Sequence, residues 1–271
     1  MRKHIQGIDH VVVLVRHLDR AADAYARMGF TLTPRGFHTL GSQNHCLMFG
    51  ADYIELLAVP KPHPAMQYFS DFLAQGEGLG AIALATNDAA GAHAELAADG
   101  IAADAPLDFS RPVEDLGDAK FRIVQLPPDR SPGCRVFLCQ HFTRDLVWRK
   151  GFASHPVGVT GIAGMAVVGA APDGYESLLA ERAQAIAEGA KVETGSAPIA
   201  LCREDRLEAR LQGKPLPVRP RPVVAALFLR VANRSRAAAA LRKGGFSPRR
   251  LADGSLALGA DEAHGVALVF G

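Results

Sequence analysis

His10 lies in the apolar run Gly7-Ile8-Asp9-His10-Val11-Val12-Val13-Leu14-Val15, and Glu55 in a second run, Tyr53-Ile54-Glu55-Leu56-Leu57. An imidazole and a carboxylate offered from neighbouring strands can share one divalent cation. The two-residue period of a strand puts His10, Val12 and Leu14 on one face, and Tyr53, Glu55 and Leu57 on one face of theirs. If both are the concave faces of a curved sheet, His10 and Glu55 reach one ion and leave positions for water and substrate. His45, with Leu47 and Phe49 as face-mates, could complete a set of two histidines and one carboxylate. That open set is the one used by non-haem iron oxygenases. A bland alternative exists for each residue. A histidine in an apolar strand is more often a hydrogen-bonded core residue than a ligand. Glu55, between Ile54 and Leu56, needs a partner, a metal or water if buried, because an unpaired buried carboxylate costs several kcal/mol. An outward-facing Glu55 on a one-sided sheet would remove that need.

The elements that must position these residues can be read in order. Residues 8–15 form a short, Val-rich strand. Residues 20–28 form a helix with Ala21, Ala24, Tyr25 and Met28 on one face, Asp19 as the expected N-cap and Gly29 as its stop. Strands are expected over 30–34, 45–49 and 53–59, with Gly50-Ala51-Asp52 as a short turn. The order strand, helix, three strands then recurs. A second copy has a strand over 79–86, a helix over 88–99 stopped by Gly100, and strands over 121–126 and 135–141. A third has a strand over 162–168, a helix over 175–188 stopped by Gly189, and strands over 191–194 and 199–203. A fourth has a strand over 223–231, a helix over 235–243 stopped by Gly244, and strands over 249–252, 255–258 and 266–270. Aligning Gly29 with Gly100 places His10 on Ala81, so the second copy lacks the first ligand. Its last strand, Val136-Phe137-Leu138-Cys139-Gln140-His141, has no carboxylate, and either Gln140 or His141 could take the equivalent place. The third and fourth copies offer only Ala or Gly at the matching positions, so the trailing half is expected to build walls, a lid or a dimer face.

Tyr53 shares the Glu55 face and could donate a proton or serve as a wall; Glu55 and Tyr53 are the expected catalytic side chains. His38, in the loop Gly36-Phe37-His38-Thr39-Leu40-Gly41, could close over the site or remain a surface histidine, and Asn44 could hold a substrate oxygen or cap a turn. His38, Asn44, Gln140 and His141 are thus the candidate substrate contacts. Trp148 is expected to pack where the halves join, and His63, His93, His155 and His264 to be structural or solvated.

The chain has 271 residues, 48% hydrophobic, enough for one large domain or two ordinary ones. Thirty basic against twenty-eight acidic residues leave a formal charge of +2, which gives no basis for a nucleic-acid or membrane surface. The stretch Lys214, Arg219, Arg221, interleaved with prolines, reads as a solvated connector. Cys46, Cys134, Cys139 and Cys202 show no CxxC spacing, and no secretory leader or long apolar span is evident. A reduced, cytoplasmic protein is the expectation. No Gly-rich phosphate loop, nucleophile elbow or nucleic-acid module is present.

With Gly-Ile-Asp-His-Val-Val at its start, then Asn44-His45-Cys46-Leu47 and Tyr53-Ile54-Glu55-Leu56-Leu57, the chain resembles the vicinal oxygen chelate superfamily, and more narrowly its glyoxalase-like domain proteins. The motif match covers residues 5–60, and the repeat extends a weaker similarity over the rest. The resemblance implies an α+β fold of four tandem βαβββ modules, paired into two glyoxalase/dihydroxybiphenyl-dioxygenase-like domains, 1–150 and 157–271. It implies that the first strand of each module lies beside the fourth, and the fourth beside the third. It also implies a divalent metal (Zn, Fe, Mn, Ni, Co or Mg) in the leading cup, with His10 as first-strand and Glu55 as fourth-strand ligand. The activity it implies is metal-dependent chemistry on a small molecule with neighbouring oxygens, of lyase or isomerase type. Two alternatives stand beside it: an Fe(II) extradiol-type dioxygenase, and a non-enzymatic binding protein for a drug or metabolite. A homodimer would suit the family.

Overall fold

The first strand is apolar on both faces because both faces are covered. The computed structural model describes residues 1–61 and 63–271. Every residue of β1 (Ile8–Leu14) is buried. Val11 and Val13 join the large core, while Val12 and Leu14 face a separate apolar cluster in the hollow of the leading half.

The chain continues through α1 (Leu18–Arg27), β2 (Gly36–Phe37), β3 (Gln43–Met48), β4 (Tyr53–Ala58), α2 (Gln67–Ala74), β5 (Gly78–Ala85), α3 (Ala89–Ala98), β6 (Leu107–Val113), β7 (Gly117–Gln125) and β8 (Arg135–His141). After a short α4 (Arg144–Val147), the trailing half runs β9 (Val159–Val168), α5 (Asp173–Leu179), β10 (Gln184–Ile186), β11 (Gly189–Val192), β12 (Ile199–Cys202), α6 (Glu204–Leu211), β13 (Val223–Val231), α7 (Arg234–Lys243), β14 (Arg249–Arg250), β15 (Leu256–Leu258) and β16 (Ala267–Phe270). Four parallel pairs, β1 with β4, β5 with β8, β9 with β12 and β13 with β16, each close a strand–helix–three-strand unit. Antiparallel pairing joins β1 to β5 and β9 to β13, and a single residue pair links β13 to β5. The result is one connected, curved α+β sheet system.

Several elements differ from the sequence reading. The stretch 30–34 is not a strand; the edge position is taken by the two-residue β2 instead. Residues 184–186 form a strand rather than the end of a helix, because α5 stops at Leu179, with Ala180 in the left-handed conformation, well before Gly189. β6 was not expected, since Pro112 interrupts its pattern; at a sheet edge, paired only to β7, a proline costs no ladder bond. Asp19 lies inside the first turn of α1, where its charge suits the helix dipole, and His17 occupies the N-cap. Gly29, with φ of +93°, does stop that helix.

The large core runs through both halves. Tyr25 of α1 is fully buried, with its hydroxyl donating to Ala263 O at 3.3 Å. His264 meets Glu77 at 2.7 Å, and Arg219 stacks on Phe72 at 3.6 Å while donating to Phe72 O and Gly76 O. The proline-rich connector is therefore docked rather than solvated, with Leu216 buried. The two hollows are filled differently. In the trailing half, Leu207 and Leu211 of α6 and Leu216 pack onto the concave face, each leucine contributing about 2 kcal/mol of burial. In the leading half, α2 supplies Phe72 and Leu73 at one end and leaves a cavity of about 80 Å³.

Asp52, in the turn before β4, ties the halves together: it accepts from Ile162 N at 3.0 Å and lies 3.5 Å from Arg230. Burial pushes its carboxyl up to about 6, against the pull of Ile162 N–H and Arg230. A folded-state value above the unfolded one means that the folded protein holds the proton more tightly. Stability from this group is thus highest below about pH 4, falls as pH rises towards 6, and stays low above it. Asp52→Asn is expected to remove that pH slope, worth about 2–3 kcal/mol. It should leave the variant at least as stable as wild type at pH 7.5. Urea unfolding of both proteins from pH 4 to 8 checks this, and an equal slope in the two would contradict it.

Candidate metal and ligand site

Strand register decides which side chains share the hollow. β1 and β4 align His10 with Tyr53 and Val12 with Glu55, while β3 and β4 align Cys46 with Glu55 and Asn44 with Leu57. Residues paired across strands point to the same face, so His10, Tyr53, Glu55, Asn44 and Cys46 all line the cavity. His10 and Glu55 are 4% and 6% exposed.

Asp9 organises the site. A register irregularity in the β1–β5 pairing falls between Ile8 and His10, and Asp9 is the residue skipped. Its carboxylate meets His10 Nδ1 at 2.6 Å and His141 Nε2 at 3.0 Å. Burial by itself would raise its pKa, but the hydrogen bonds and charges of His10 and His141 outweigh that and hold it well below the usual carboxylate range. The contact with Asp9 takes up His10 Nδ1 and leaves Nε2 facing Glu55 Oε2 at 3.7 Å. Tyr53 stacks on the imidazole at 4.4 Å and Phe137 meets it edge-on at 5.6 Å, so the ring has little freedom. On the other side, Asn44 Nδ2 donates to Glu55 Oε1 at 2.5 Å, and His38 Nε2 lies 3.8 Å from the same oxygen. Ser42 Oγ holds His38 Nδ1 at 2.8 Å. Burial, reinforced by Arg111 and His10, lowers the His38 pKa despite the opposing pull of Glu55. Burial also lifts the Tyr53 phenol well above its ordinary value, so its hydroxyl stays protonated.

The residues singled out from sequence divide cleanly. His10, Glu55, Tyr53, Asn44 and His38 come together. His45 does not: it faces away from the cavity with Leu47 and Phe49, and its Nδ1 bonds Thr33 O at 2.8 Å. Gln140 caps α3, accepting from Ala89 N and donating to Asn87 O. His141 does reach the site, but through Asp9. The place equivalent to Glu55 in the second unit belongs to Phe137, since Ala83 pairs with Phe137 as Val12 pairs with Glu55. Trp148 packs within the leading half, edge-on to Tyr53 and His141, with Arg144 over its ring. Asp9, Cys139 and Arg111 were missed. Asp9 sits beside His10 in sequence, but strict alternation would send it to the other face. Arg111 lay in a strand that was not recognised.

Two groups could hold an ion. Ligands about 2.1 Å from one ion lie roughly 3–4 Å apart, which His10 Nε2 and Glu55 Oε2 satisfy. Asp9 on the far nitrogen of His10 supplies the outer carboxylate that metal-binding histidines commonly use. These residues fit a divalent metal, with His38 available as a further nitrogen donor. Asp9, Cys139 and His141 also bring one ligand atom each within 4.8 Å of one another. In this second group Asp9 Oδ2 already accepts from two imidazoles while Oδ1 is buried without a partner, and burial raises the Cys139 thiol well above its ordinary value, which makes it a poor ligand. Burial likewise pushes Cys46 up to about 12, which leaves it a neutral wall residue.

Among the described residues, no helix is long and apolar enough to cross a membrane. No curated protein matches the chain. Over 98% of both chains, the structure resembles a hypothetical protein from Staphylococcus aureus, with a TM-score of 0.67 at 13% identity. It also resembles a triple mutant of 4-hydroxymandelate synthase from Streptomyces coelicolor (TM-score 0.61, 15% identity, 91% of this chain and 77% of that one). A third likeness is to a xylose isomerase-like TIM barrel/4-hydroxyphenylpyruvate dioxygenase fusion protein (TM-score 0.60, 17% identity, 98% of this chain and 49% of that one). At these identities the likeness establishes the fold. The model of the glyoxalase-like domain matches residues 8–183, which takes in all of β1 to β8. The chain therefore belongs to the glyoxalase-like domain family, within the vicinal oxygen chelate superfamily.

Proposed function

We propose that the leading cup is the active site of a metal-dependent enzyme, of lyase or isomerase type, acting on a small molecule with two neighbouring oxygens. The observation that carries this reading is His10, locked by Asp9 so that Nε2 faces Glu55 Oε2 at 3.7 Å. His10 and Glu55 would hold the ion, one of Zn, Fe, Mn, Ni, Co or Mg. When bound, it supplies a Lewis acid that polarises the substrate oxygens. The remaining work belongs to the chain's own groups. Asp9 keeps the His10 tautomer, Asn44 orients Glu55, and Phe109, Phe121 and Phe137 exclude water. His38 Nε2 is placed to accept a proton, and the Tyr53 hydroxyl to donate one. A division into domains 1–150 and 157–271 belongs to the same reading; each would contain two units closed by parallel pairs.

A second reading, an Fe(II)-dependent extradiol-type oxygenase, is favoured by one observation: His38 Nε2 lies 3.8 Å from Glu55 Oε1 and would supply the second imidazole, whereas His45 bonds Thr33 O. Elemental analysis of the purified native protein tests both. About one divalent ion per chain is expected, lost to a chelator and regained on reloading. No ion above trace level before or after reloading would leave only a metal-independent binding protein.

A further inference from the structure

The cup contains one cation that the proposed chemistry does not use. Arg111 lies on β6 and lines the cavity beside Phe109 and Phe121, whose rings stack at 4.9 Å. Its Nε is buried without a hydrogen-bond partner. None of the ion pairs of the described residues involves it, and the one carboxylate lining the cavity, Glu55, is engaged by Asn44, His10 and His38. Gly36 allows the approach. A Cβ there would come within 2.7 Å of Arg111 Cδ and 3.1 Å of its guanidinium, so any larger residue would displace the arginine. Arg111 also lines an outer cleft with Arg35, Glu114 and Arg149, so its side chain borders both that cleft and the cavity.

Arg111 is only partly buried, but its Nε is shut away from water with no partner and no carboxylate forms an ion pair with it, a state that an arriving anion relieves. A carboxylate matches its fork and can take two parallel hydrogen bonds. We propose that Arg111 anchors a carboxylate on the ligand, so that the cup selects small organic acids over their neutral counterparts. The inference rests on the cup being the ligand site; it does not require the ion.

The test is isothermal titration with three matched pairs: isobutyrate and isobutyramide, benzoate and benzamide, phenylacetate and phenylacetamide. Chelator-stripped and metal-loaded full-length protein are both used. In stripped wild type, at least one acid should bind about tenfold more tightly than its amide. Arg111→Gln should reduce that preference to within about twofold, and Arg111→Lys should keep part of it. Arg111→Met replaces the glutamine variant if the latter does not fold. His10→Ala should retain the preference for acids, which separates this inference from the metal reading. It is overturned if no acid is preferred over its amide in the stripped protein, or if the preference survives removal of the Arg111 charge.

Discussion

His10→Ala is expected to abolish stoichiometric divalent-metal binding, weakening it at least ~100-fold, while leaving the fold intact. The imidazole presents Nε2 to the cavity because Asp9 takes Nδ1, and Nε2 lies 3.7 Å from Glu55 Oε2. Glu55→Gln should act in the same direction. It exchanges a charged ligand for a neutral one and brings an amide beside Asn44 Nδ2, which now donates to that position. Asp9→Ala should weaken binding about 10–100-fold, the usual effect of removing an outer-shell partner. His45→Ala should change metal affinity by less than about twofold, because that ring points away and bonds Thr33 O. Titration of the chelator-stripped variants with zinc or cobalt checks the series. Loss of binding in the His45 variant, with His10→Ala unaffected, would reverse the assignment.

Tyr25→Ala is expected to lower stability by about 4 kcal/mol, and Tyr25→Phe by no more than about 1 kcal/mol. Tyr25 is fully buried in the core shared by both halves, against Phe30, with His264 at 6.3 Å. At roughly 2–4 °C per kcal/mol for a chain of this order of size, the alanine variant should melt about 10 °C lower. Because that core runs from α1 into the trailing half, the loss should be felt throughout the molecule. The single tryptophan, Trp148, lies in the leading half and reports on it alone. Its fluorescence and the far-ultraviolet circular dichroism should therefore move together. A tryptophan transition that shifts while much of the dichroism signal stays in place would show the halves unfolding independently.

Much of this was legible in the residues, and the failures have physical causes. β1, β4, α1 and the shared faces of His10 with Val12 and of Tyr53 with Glu55 follow from the two-residue and 3.6-residue periods, whereas the family resemblance is what implied that those faces line the hollow. His45 shows the limit of that argument: its face-mates Leu47 and Phe49 were right, but which face became concave depends on the turn between β3 and β4. That turn pairs Cys46, not His45, with Glu55. The role of Asp9 depends on a strand irregularity that no periodicity encodes. Phe137 in place of a second carboxylate could be assigned only once the β5–β8 register was known. β6, carrying Arg111, was hidden by its proline and its edge position, and α2 and α6 lie between units where the repeat offers no guide.

Anomalous diffraction from crystals of the cobalt-loaded protein would locate the ion. One strong peak is expected, bonded to both His10 Nε2 and Glu55 Oε2. A peak seated instead among Asp9, Cys139 and His141, or none in the leading cup at full cobalt loading, would contradict it.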